Sequence, residues 1–111
     1  MELEINELPE IAVISLTGKV MSGNDEEIFI KNVYDLIDKG FTNIILDMSA
    51  VDWMNSRGLG MCLKAMTSLR NRGGDLKLAG VGGQTREIME KCRIFDIFNY
   101  FPDVETALDS Y

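Results

Sequence analysis

NIILDMSAVDWMNSRGLG, residues 43–60, decides the architecture. Asn43 to Met48 is a near-continuous apolar run, the pattern of a strand covered on both faces, and so reads as a central strand. The run empties into a short loop that delivers Ser56 to the start of a helix, with Gly58 and Gly60 in its first turn. A serine there is a favoured N-cap, its oxygen accepting from an N–H two or three residues on, worth about 1 kcal/mol. It also presents an exposed hydroxyl beside unpaired backbone donors, where a phosphate suits the helix dipole and alters what the surface binds. Two glycines cost the helix roughly 1 kcal/mol each relative to alanine, which calls for close approach of either a partner or the neighbouring strand.

Working downstream, Leu59, Cys62, Leu63, Met66 and Leu69 share one face between Arg57 and Arg72, opposite Lys64, Ser68, Arg70 and Asn71, and Gly73-Gly74 stops the helix. Leu76 to Val81 is a short apolar strand that returns beside the central one through this helical crossover. A third helix over 85–92 buries Ile88, Met89 and Cys92. Phe95 to Phe101 reads either as a short edge strand or as an irregular apolar clamp, after which Pro102-Asp103 caps a terminal helix carrying Val104, Ala107 and Leu108. Upstream, residues 2–6 and 11–17 are two strands joined across Leu8-Pro9-Glu10, a hairpin. Phe29, Val33, Leu36 and Ile37 then recur at helical spacing over 25–39 until Gly40. The pattern predicts an α/β fold, one domain over residues 1–111, with a mostly parallel sheet, an N-terminal antiparallel hairpin and about four helices packed on it.

Composition removes several classes of function. No histidine is present, so Ser-His-Asp and Cys-His nucleophiles and histidine metal sites are excluded. Asp25, Glu26 and Glu27 sit in a helical first turn, where the helix dipole accounts for them without acid–base chemistry. The Gly73-Gly74 and Gly80-Val81-Gly82-Gly83 segments lack the spacing and lysine of phosphate loops and read as turns. Eighteen acidic against eleven basic residues give a net charge of −7, which repels nucleic acid and anionic membrane surfaces. Cys62 and Cys92 fit no metal-ligand spacing and are expected as reduced core residues. Trp53 is expected as a core anchor, and most of the seven methionines as core filling. No apolar run reaches the length of a membrane span, and the acidic N-terminus is unlike a signal peptide, so a cytoplasmic location is expected.

Asp47-Met48-Ser49-Ala50-Val51-Asp52-Trp53-Met54-Asn55-Ser56-Arg57-Gly58-Leu59-Gly60 resembles the STAS domain of bacterial anti-sigma-factor antagonists, whose strand–loop–helix segment commonly reads D-L-S-x-V-x-F-[IM]-D-S-[SA]-G-L-G. Leu16-Thr17-Gly18, Leu76 to Val81, Phe95 to Phe98 and Asp103 to Leu108 fit as well, so the resemblance spans essentially the whole chain. It implies a regulator without catalytic activity or cofactor, a monomer or weak dimer. Unmodified, such a protein binds an anti-sigma factor of the ATP-binding serine-kinase type; phosphorylation at Ser56 ends the contact, and a metal-dependent serine phosphatase restores it. The implied partner surface is Met54, Asn55, Ser56, Arg57 and Gly58. Two residues depart from the family pattern: Asn55 replaces an aspartate and Arg57 replaces serine or alanine. Arg57 is suited either to pair with an arriving phosphate or to touch a partner that reads the unmodified surface. STAS domains also serve in stressosome-like assemblies, lipid-transport complexes and anion-transporter tails. The alternative is therefore a constitutive scaffold in which Ser56 is only a cap and Arg57 makes a fixed contact.

Overall fold

The computed structural model describes residues Met1–Tyr111 throughout. Strands β1 (Glu2–Glu7) and β2 (Ala12–Val20) pair antiparallel, from Glu2 opposite Thr17 to Glu7 opposite Ala12. Helix α1 (Gly23–Asp38) leads to β3 (Asn43–Met54), α2 (Ser56–Arg70) to β4 (Asp75–Ala79), and α3 (Gly83–Lys91) to a 3-10 turn at Phe95–Ile97. A two-residue strand, β5 (Tyr100–Phe101), and α4 (Val104–Asp109) complete the chain. The five strands lie in sequence order, and every pairing after the hairpin is parallel.

The centre of the sheet is β3, and its alternating side chains reach both faces. Ile44, Leu46 and Met48 join the larger core formed with α1, α2 and α3. Ile45 faces the other way and meets Val13, Ala79 and Ala107, so α4 covers that second face. The expected central position is thereby borne out, as are the hairpin and the mixed sheet. Both descriptions of Phe95 to Phe101 hold in part: Phe95 and Phe98 are buried anchors around the 3-10 turn, and Tyr100-Phe101 adds an edge strand to β4.

Several boundaries differ from the sequence reading. Strand β2 passes Gly18 and continues to Val20, and β3 runs on to Met54 instead of ending at Met48. Two register shifts explain this: β3 carries one extra residue between Asp47 and Ala50 and another between Val51 and Trp53, both taken against β2. Gly18, at φ 89°, supplies the left-handed backbone at the second irregularity. Helix α1 begins at Gly23 because Ser22 and Asp25 form a capping box, each side chain satisfying the other's backbone N–H. Two expectations are corrected. Cys92 lies exposed at the C-cap of α3, since that helix ends one residue earlier and buries only Thr85 and Met89. Trp53 is 45% exposed, because the extra residues in β3 space its core contacts at Met48, Val51 and Met54 and leave Trp53 facing out.

Candidate functional site

Val20 and Met54 end their strands side by side, and the site is built on that junction. The backbone N–H of Asn55 donates to the Val20 carbonyl at 3.4 Å, and the Asn55 side chain then works in two directions. Its Oδ1 accepts from the Gly58 N–H at 3.1 Å, capping α2, while its Nδ2 donates to the Met21 carbonyl at 3.1 Å. The N-cap is thus Asn55 and not Ser56, a correction with a clear cause: the Asn55 amide accepts from the helix through one atom and donates to the neighbouring loop through another, which fixes it at the junction and sets Ser56 one position into the helix. Ser56 becomes the first helical residue. It is exposed, and its hydroxyl is not consumed by the cap.

Arg57 is exposed and turns toward α1, its Nη1 lying 3.4 Å from Glu26 Oε2 and 3.2 Å from the place a side chain on Gly23 would occupy. Met54 and Gly58 do not belong to the accessible surface, which corrects their expected partner-facing role. Met54 is 0% exposed, and a Cβ on Gly58 would come within 2.6 Å of Met54 Cγ and 2.9 Å of the Val20 carbonyl oxygen. Gly58 therefore exists for helix-to-strand packing. Gly60, by contrast, has open space where its Cβ would be. Of the residues singled out from sequence, Asn55, Ser56 and Arg57 come together at the surface, with Met54 and Gly58 forming the floor beneath them.

The opposite bank of the site comes from α3. Trp53, Asn55 and Ser56 share an open groove with Gln84, Glu87, Ile88 and Lys91. Gln84 bridges the two banks: its Oε1 accepts from the Met54 N–H at 2.9 Å and its Nε2 donates to the Met54 carbonyl at 2.8 Å. This side chain stands in for a strand partner that β4, which pairs with β3 only as far as Asp47, cannot provide. Sequence reading missed Gln84, Glu87 and Lys91, because a helical pattern locates the buried stripe and says nothing of what the polar face opposes. The arrangement offers no nucleophile–base pair, and no group of histidine, cysteine or acidic residues has the geometry to hold a metal. What it offers is a hydroxyl on a rigid helix start, set in a groove of mixed charge.

An open mixed sheet of this order, with a capped serine segment after its central strand, defines a class of small α/β domains. A family model described as the STAS domain matches residues 2–107, and the chain belongs to that family. The chain is 29% identical over 111 residues, all of it and 95% of the relative, to a Bordetella bronchiseptica protein named "Putative anti-sigma factor antagonist BtrV". The fold is also that of a Thermotoga maritima protein, tm1081, whose crystal structure superposes with a TM-score of 0.88 at 17% identity, covering 97% of this chain and 92% of that one. The Bacillus cell fate determinant SpoIIAA in its phosphorylated form gives a TM-score of 0.77 at 22% identity, with 98% of each chain covered.

Proposed function

We propose that this protein is an anti-sigma factor antagonist that binds an anti-sigma factor of the ATP-binding serine-kinase type, and that phosphorylation of Ser56 ends the binding. The observation that carries this reading is the division of labour at the start of α2: Asn55 does the capping, so the Ser56 hydroxyl is exposed and available for esterification. The name of the Bordetella relative and the SpoIIAA likeness support the same role. A phosphate adds about −1.5 to −2 charges, which a helix N-terminus accommodates without refolding. A partner packed over the same helix end must instead desolvate a dianion, at a cost of several kcal/mol. Since about 1.4 kcal/mol is tenfold in affinity, one phosphate suffices to switch binding off, and a serine phosphatase resets the protein.

Ser56→Ala should bind the cognate kinase constitutively, and Ser56→Asp should bind at least tenfold more weakly in a calorimetric titration. Equal affinities remove the switch. Incubation with the kinase and ATP, followed by intact-mass measurement, should add a single phosphate to the wild type and none to Ser56→Ala. The Arg57–Glu26 ion pair is the one observation that favours the constitutive scaffold, since it ties Arg57 to its own chain; such a scaffold acquires no phosphate in the same experiment.

A further inference from the structure

Arg57 is adjacent to Ser56 in sequence, yet the structure separates the two. Neighbouring helical residues do not face each other, and the Arg57 guanidinium is drawn to Glu26 and Gly23 on the α1 side. Ser56 opens the other way, into the groove whose far bank is α3. The charged groups lining that groove are Glu87 and Lys91, one helical turn apart, and they form no ion pair with each other within 4.0 Å. Arg86 and Glu90 are paired together at 2.9 Å, and Arg86 lies over the Phe95 and Tyr100 rings, away from this groove. Lys91 is therefore the cation left uncommitted on the surface that Ser56 faces. Lys19 and Asp52, next to Trp53 in register or in sequence, are outside the groove lining.

We propose that Lys91, and not Arg57, receives the phosphate on Ser56, holding the phosphoryl group across the groove against α3. The inference rests on the phosphorylation reading, and it goes further by assigning the residue that reads the modification. On phosphorylation the groove between Trp53 and α3 is bridged by a charge-assisted contact, so a partner loses this cleft as well as the bare helix end. Glu87, on the same bank, opposes the incoming dianion and tunes the strength of the contact. Lys91 also stands in the last turn of α3, where a cation suits the helix dipole, so stability of the variants is not diagnostic and the phosphate itself must be the probe.

Phosphoserine introduced at position 56 by genetic code expansion makes the experiment independent of any kinase. The phosphorus NMR signal is then titrated through the second ionisation of the phosphate, near pH 6 for the free group. A facing cation favours the dianion, so Lys91→Gln should raise the midpoint by about 0.5 unit and Glu87→Gln should lower it, while Arg57→Gln leaves it in place. A midpoint unmoved by Lys91→Gln, one moved as far by Arg57→Gln, or one not lowered by Glu87→Gln overturns the assignment. Failure of the kinase to add phosphate would count against the phosphorylation reading and leave this result standing.

Discussion

Gly58 and Gly60 look alike in the sequence, two helix-weakening residues in one turn, and the structure gives them opposite meanings. Ala at position 58 meets the Val20 carbonyl oxygen, a backbone atom that cannot swing aside, as well as the more pliant Met54 side chain. Gly58→Ala should destabilise the protein by about 1–3 kcal/mol, the range for forced overpacking, whereas Gly60→Ala should stabilise it by about 0.5–1 kcal/mol through helix propensity. Urea midpoints measured side by side check both signs. The same scale shows why the site was only partly legible. Asn and Ser are both good N-caps, and they stand next to each other. What selects Asn55 is the Met21 carbonyl, thirty-four residues away in the chain, and no local pattern contains that acceptor. Trp53 was misplaced for a related reason: strand alternation predicts its facing only when β2 and β3 stay in register, and two shifts intervene.

Elements were legible where a periodic apolar stripe met a chemical stop, as in α2 with its Gly73-Gly74 end, and in α4, where Asp103 accepts from the Thr106 N–H at 2.7 Å. The start of α1 was harder, because Ser22 lies among glycine and asparagine residues that read as loop. Its capping box makes a prediction about pH. Burial of Asp25 opposes ionisation, yet donation from the Met21 and Ser22 N–H groups and from Ser22 outweighs it and holds the carboxyl below its ordinary value. A carboxyl with a depressed native pKa stabilises the fold above its unfolded value near 4 and loses that contribution as pH falls through the native one. Asp25→Asn should therefore be less stable than wild type at neutral pH, and the gap in denaturation midpoint should narrow as both proteins are acidified below about pH 4. A gap that stays constant across that range would count against the ionised cap.

For the whole molecule, alternation of strands and helices sufficed to foresee the parallel order, because a crossover helix returns each strand beside the last. Apolar pattern alone could not foresee which cysteine would be sealed in. Cys62 is fully buried and its thiol is pushed up to about 12 by burial, while Cys92 is exposed. The native protein should react with one equivalent of a thiol reagent at neutral pH and with two after unfolding, the first mapping to Cys92 by peptide mass. No helix is long and apolar enough to cross a membrane. One asymmetry of the sheet bears on how such a protein would signal. Beyond Asp47 the central strand has outrun β4, so its tip is flanked by β2 on one edge and steadied by the Gln84 amide on the other. The strand end that leads into Ser56 is thus held by main chain on the β2 side and by one side chain on the α3 side. A visitor that levered the Gln84 amide away would orphan both backbone groups of Met54.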